Sequence, residues 1–302
     1  MSLSQTRMSL NDGAGTYFRS RRARVSETLW AYAFLAPSLV IFAVFVFYPL
    51  IRTAHQTFYQ PGLYPDAPQR YIGWEQWTDV LGDSDFHATI LRTLLLSLMT
   101  VLPALVLGLL LAWLVNQPLR GMSLFRIVFS TPVATSVAVA SLVFLILLNP
   151  QGGILKVDWL TRPTPALMSV ALTNVWQNLG ITFIIILAGL QSVPDDLIEA
   201  AKIDGAGPWR RLRSVIIPTI SPTLMFAFVI LTIVSFQTFG QIDILTQGGP
   251  QDATRVIVYD IFTNRGSDPG AAAVKSIVLF GGLVLLTFIQ FAALNRRVHY
   301  GD

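Results

Sequence analysis

The sequence predicts an all-α membrane protein with six transmembrane helices. Three observations carry this. Hydrophobic residues make up 53% of the 302 residues and charged residues 13%, with a mean hydropathy of +0.58, whereas soluble domains carry about 25% charged residues. Six apolar runs have the length of a membrane span, about 20 residues each. Basic residues are also unevenly divided between the loops that separate those runs.

The runs are 29–51, 93–115, 124–148, 166–190, 224–239 and 271–294. The first follows a polar, basic tail (1–28) with Arg7, Arg19, Arg21, Arg22 and Arg24 and no apolar period, which is expected to be mostly disordered. It is too long for the apolar core of a signal peptide and reads as an uncleaved first span. The six-helix domain then occupies 29–298. Pro37, Pro103, Pro132 and Gly180 interrupt the spans. Such disruptors are tolerated where neighbouring helices satisfy the freed backbone groups. They suit a packed bundle with a pathway, although ordinary kinks in a structural bundle would look the same.

Six spans put both termini on one side. The segments 1–28, 116–126, 191–218 and 295–302 hold 13 of the 21 Lys and Arg residues, and the longer opposite loops hold 8. Cytoplasmic loops carry the basic excess, so both termini and the loop 192–218 are expected in the cytoplasm. The other side carries 10 of the 17 acids. The outer loop 52–88 is rich in Tyr59, Tyr64, Tyr71, Trp74 and Trp77, as an interfacial belt is, or a surface for an extracytoplasmic partner.

Several classes are excluded. With no cysteine there is no disulfide or thiolate site. His55, His87 and His299 are scattered and show no zinc spacing. The basic residues sit in loops where topology accounts for them, so nucleic acid is not an expected partner. No Asp, Glu, Lys or His lies mid-span, which disfavours an ion-coupled secondary carrier, since coupling needs a titratable group at depth. No Ser/His, paired-Asp or metal constellation supports an intramembrane enzyme.

Neutral polar residues cluster in two spans. The fourth holds Asn174, Trp176, Gln177, Asn178 and Thr182, and Asn174, Gln177 and Asn178 share a face at i, i+3 and i+4. The fifth ends in Ser235, Gln237, Thr238 and Gln241, with Ser235, Thr238 and Gln241 expected on one face. Amides and hydroxyls suit a transient site for a polyhydroxylated solute, and Trp176 could stack on a sugar face. The competing reading is interhelical hydrogen bonding, about 0.6 kcal/mol each. Neither span carries a deep Arg or Lys, which suits a neutral or zwitterionic solute better than a strongly anionic one.

The loop 192–218, SVPDDLIEAAKIDGAGPWRRLRSVIIP, is the most informative stretch. Ser192 is a candidate cap, Pro194, Asp195 and Asp196 open a helix, and Gly205 stops it. A second helix is expected from Pro208 to Val215, its Arg210, Arg211 and Arg213 able to reach lipid phosphates or acidic groups.

Glu199-Ala200-Ala201, three further residues, Gly205, then Val215 and Ile217-Pro218 resemble the EAA loop of bacterial ABC importer permeases, with Asp204 and Ala206 fitting its extended form. Val215 and Ile217 are mild departures. Tyr71-Ile72-Gly73-Trp74, Phe125-Arg126 through Pro132, Asn149-Pro150-Gln151-Gly152-Gly153 and Thr246-Gln247-Gly248-Gly249-Pro250 extend the resemblance over nearly the whole chain, nearest to the carbohydrate-uptake group. The stretch 236–250 is most similar to permeases for glycerol 3-phosphate or glycerophosphodiesters, with a sugar or oligosaccharide next.

The resemblance implies a type I importer (MetI-like) fold in the bacterial inner membrane. Glu199, Ala200, Ala201, Asp204, Gly205, Ala206 and Pro218 would form the contact with a homodimeric cytoplasmic ATPase. That ATPase would use ATP and magnesium. This chain has no phosphate-binding loop and would be a transport subunit rather than an enzyme. A second permease with its own EAA loop and a periplasmic or lipid-anchored binding protein would complete the system in the lipid bilayer.

Overall fold

The computed structural model describes residues 21–60, 68–117, 120–155 and 157–295. Residues 1–20 of the N-terminal tail, Tyr64 of the outer loop and the C-terminal end with His299 lie outside the described residues.

The described backbone is almost wholly helical, with one two-stranded antiparallel ribbon, and divides into units of 1–52 and 53–302. In the first unit, α1 (Arg21–Phe42) runs through a wide π-type turn (Ala43–Phe47) into α2 (Tyr48–Gln56). Helix therefore starts at Arg21, inside the stretch expected to be disordered. Its apolar side chains are exposed, Phe34 by 80% and Phe45 by 74%. That is what a span presenting itself to lipid or to another chain needs.

In the second unit, the ribbon β1 (Tyr59–Gln60) and β2 (Arg70–Tyr71) leads to α3 (Glu75–Gly82) and α4 (Ser84–Val115). α4 extends nine residues before the expected second span, because the Asp83 carboxylate accepts from the Asp85 amide at 2.9 Å and Asp85 sits on the positive end of the helix. Next come α5 (Met122–Ser130), a 3-10 turn (Thr131–Ala134) and α6 (Val137–Leu148), then α7 (Pro163–Gln191). The loop follows as α8 (Asp195–Ile203), α9 (Pro208–Arg211), a π-type turn (Leu212–Ile216) and α10 (Ile217–Thr219). The chain ends with α11 (Ser221–Phe236), α12 (Gly240–Leu245), α13 (Ile257–Asn264) and α14 (Pro269–Asn295).

Among the described residues, four helices are long and apolar enough to cross a bilayer unbroken, and two bent pairs bring the number to six. The third span is therefore broken and not straight: Met122–Ala134 meets Val137–Leu148 at 103°. Pro132 has no N–H to continue the helix, Thr135 is extended, and the Ser136 hydroxyl caps α6 by accepting from the Val139 amide at 3.3 Å. The fifth span is bent too, with Pro208–Thr219 at 75° to Ser221–Phe236. Both π-type turns hold the residue four before a proline, Phe45 before Pro49 and Ser214 before Pro218. The wider turn makes room for the carbonyl that the proline ring would otherwise strike.

α7 is the central helix and packs most extensively on α4. Gly180 is not a kink within it. A Cβ there would lie 2.8 Å from the Val133 side chain and 2.9 Å from the Val133 backbone nitrogen, so the glycine lets α7 close on the break of the third span. Gly180→Val is expected to destabilise the domain by about 1–3 kcal/mol through overpacking, read as a lowered thermal transition of the purified protein in detergent.

Candidate functional site

The loop between α7 and α11 is built in two layers. α8 has Asp195 and Asp196 in its first turn and Lys202 in its last, matching the helix dipole. Ser192 does not cap it. Its hydroxyl donates instead to the Gly189 carbonyl at 2.8 Å, and Pro194 takes the cap position. The helix ends in a Schellman turn: the Ala206 amide donates to the Ala201 carbonyl at 2.9 Å and the Gly205 amide to the Lys202 carbonyl at 3.0 Å, with Gly205 at φ +74°. A glycine is required there because side chains resist that left-handed geometry. α9 follows at once and continues through the π-type turn to Thr219, past the expected end at Val215.

The two layers have opposite fates. Ala201, Leu212 and Ile216 are buried, and Ile198 is partly so. The last three join Ala112, Val115, Phe183, Ile186 and Leu190 from the ends of α4 and α7 in one apolar core. Glu199, Ala200, Asp204 and Gly205 are exposed, Ala206 and Pro218 half-buried. Among the seven residues expected to face an ATPase, Ala201 thus seats the helix on its own chain. Sequence reasoning missed Ile203, 87% exposed at the end of α8. Its signal was an apolar residue beside Asp204 and Gly205, off the Ile198–Ala201 face.

The polar residues expected to line a pathway divide into groups. The Asn174 amide donates to the Thr238 hydroxyl at 3.2 Å, the Gln241 amide to the Gln177 carbonyl oxygen at 2.9 Å, and the Gln177 amide to the Thr135 backbone carbonyl at 3.4 Å. These four side chains meet between the break of the third span and the irregular residues 237–239 that follow α11. Asn178 bonds back to the Asn174 carbonyl at 2.9 Å and Thr182 to the Asn178 carbonyl at 2.7 Å. Trp176 packs on Phe144, ring centroids 5.9 Å apart.

Ser235 turns the other way, to Ser97 of α4 at 2.6 Å. Gln237 is exposed in a cleft of about 530 Å³ with Ile233, Phe280, Phe288 and Phe291. Ser235, Thr238 and Gln241 do not share a face because α11 ends at Phe236, and the irregular residues before Gly240 reset the register.

A second polar group was not foreseen. Asp260 of α13, 3% exposed, is held by Lys275 Nζ of α14 at 2.6 Å and by the Arg255 guanidinium at 2.6 Å, with the Asn264 amide at 3.1 Å. A lysine inside the run 271–294 was the available clue. Nearby, burial lifts the Tyr259 phenol above its ordinary pKa; Asp243 adds to this and Arg255 opposes it.

Residues 104–300 match the family described as binding-protein-dependent transport system inner membrane component. The chain belongs to that family. The sn-glycerol-3-phosphate transport system permease protein UgpA of Agrobacterium fabrum is 32% identical over 285 residues, covering 89% of this chain and 96% of that protein. The UgpA of Yersinia enterocolitica is 33% identical over 295 residues, covering 93% and 99%. Among solved structures, a chain of a bacterial alginate ABC transporter in complex with an alginate pentasaccharide-bound periplasmic protein superposes with TM-score 0.80 at 21% identity, covering 92% of this chain and 98% of that one. That likeness shows the fold. The protein is a multi-pass inner-membrane permease subunit of an ABC importer. It is not an enzyme, and ATP hydrolysis belongs to a separate subunit.

The buried triad gives a stability prediction. Lys275→Met should cost about 3–5 kcal/mol by leaving buried charge underpaired. Lys275→Met combined with Asp260→Asn should recover part of that loss in thermal unfolding, because the carboxylate that needs the lysine is gone.

Proposed function

We propose that α8 is the coupling element of this permease and that its outward face, with Glu199, Ala200, Ile203 and Asp204, docks in a groove of a homodimeric cytoplasmic ATPase. The carrying observation is the division of one short loop into a layer buried in the transmembrane core and a bare layer that includes an almost fully exposed isoleucine. A solvated loop has no use for such a side chain, whereas an apolar anchor ringed by charge is how a small interface is built. The basic excess of 192–218 supports its cytoplasmic side, together with both termini. One loop for two ATPase subunits calls for a second permease.

The solute side rests on Asn174, Gln177, Thr238 and Gln241. Their hydrogen bonds join irregular backbone at the break of the third span and just past the end of α11, the kind of place where membrane proteins bind solutes. Each of these side-chain hydrogen bonds is weak enough to be exchanged for one to a solute hydroxyl. The names of the relatives support a glycerol 3-phosphate solute; the resemblance of 236–250 adds a glycerophosphodiester, with sugars or oligosaccharides next. The neutral seam favours the diester, whose phosphate carries one charge fewer than the monoester. A periplasmic or lipid-anchored binding protein would deliver it to the outer loops, and ATP and magnesium would act only in the ATPase.

Two outcomes are expected. Glu199→Lys or Ile203→Asp should release the ATPase from the purified complex and abolish uptake while the permease pair stays assembled; normal co-purification and uptake would remove α8 from this role. Gln177→Leu and Thr238→Val should cut uptake about tenfold with assembly intact, and Ser235→Ala should change it little. Equal effects at all three positions would return the seam to a packing role.

A further inference from the structure

The helix that follows α8 carries a basic face for which neither the core nor the proposed ATPase contact accounts. It crosses α11 at 75°, so with α11 along the membrane normal it lies along the bilayer surface. Leu212 and Ile216 face inward at 1% and 8% exposure. Arg210 and Arg213 are exposed and Arg211 half-buried, and among the described residues no carboxylate forms an ion pair with them. Trp209, 63% exposed, meets Trp113 edge-on, with centroids 6.3 Å apart and planes at 70°. Trp113 stands in the last turns of α4 beside Leu114, itself 53% exposed on the span's surface.

We infer that Trp209, Arg210 and Arg213 form a binding surface for the phosphodiester headgroups of anionic phospholipids. A tryptophan pair at the end of a span marks the depth where headgroups lie, since indole prefers the boundary between acyl chains and water. Guanidinium groups at that depth meet lipid phosphates with paired hydrogen bonds. Lipid phosphate can therefore supply the counter-charge that no described carboxylate does. The same helix is sunk by Leu212 and Ile216 into the core shared with α4 and α7, so lipid held there steadies the platform that carries α8. The surface is distinct from the exposed face of α8, and the inference rests on the coupling reading only through the ATPase readout below.

The test uses the whole transporter, with both permeases, the ATPase and the binding protein, in nanodiscs of phosphatidylcholine with or without phosphatidylglycerol. The variants are Arg210→Gln with Arg213→Gln, and Trp209→Leu. Wild type should retain phosphatidylglycerol in native mass spectrometry and show higher solute-stimulated ATP hydrolysis when that lipid is present. The double variant should lose about fivefold in lipid retention for each arginine removed, together with the lipid-dependent part of the hydrolysis. Trp209→Leu should weaken both effects in part. Wild-type retention in the double variant, or a wild type indifferent to phosphatidylglycerol, overturns the inference. Loss of the ATPase subunit to the same extent in both lipids would assign the arginines to the ATPase and overturn it too. An ATPase that stays bound to Glu199→Lys would instead sink the coupling reading and leave lipid retention unaffected.

Discussion

The burial of Leu212 and Ile216 among Ala112, Phe183 and Ile186 is the contact on which the rest depends. It joins a charged loop, which water alone would leave mobile, to the ends of the two most extensively packed spans. Close-packed interiors move as units and do not deform continuously. A displacement applied to the bare face of α8 therefore reaches α4 and α7 through side chains already in contact. The Schellman turn at Gly205 serves the same end: with the Ala201 and Lys202 carbonyls satisfied, α8 cannot unwind under load without breaking both bonds.

The polar groups elsewhere fall into two kinds that suit two tasks. Asp260, Lys275 and Arg255 are charged and, for the first two, nearly inaccessible, so separating them strands a charge in a poor solvent. They fix α13 against α14. Asn174, Gln177, Thr238 and Gln241 are neutral and meet through single bonds of 2.9–3.2 Å that a solute hydroxyl could replace. The rigid group stands where loops must be held together, and the exchangeable one where two spans lose helical regularity and backbone carbonyls such as that of Thr135 become available.

The sequence revealed most of what is local. The six spans follow from composition, and α8 follows from its acidic start and glycine stop, because those signals act within a few residues. Features that depend on a distant partner were less legible. Pro132 could have kinked a continuous helix; it breaks one because Ser136 caps the next segment and the Gln177 amide takes the Thr135 carbonyl. Ser235 shares a face with Thr238 and Gln241 only in a helix that continues past Phe236, and α11 stops there. The ion triad escaped because Lys275 and Asp260 belong to different helices, and neither residue alone announces a partner. Ala201 belongs to a motif, and a motif does not say which of its residues faces outward.

On the proposed pathway, weak binding in the seam would separate two problems that one site would otherwise have to solve together. A permease that held its solute tightly would slow release into the cell, since passage requires a site favourable enough to enter and weak enough to leave. Four neutral side chains, two of them already bonded to the other two, would meet that condition: a solute would exchange one modest hydrogen bond for another, with little net gain. Such a seam cannot discriminate strongly among polyols or recognise a phosphate by charge. Discrimination must then come before entry, at a surface that can afford high affinity because ATP-driven motion empties it. In a binding-protein-dependent system that surface would belong to the binding protein, and the neutral character of these four residues would follow from that division of labour.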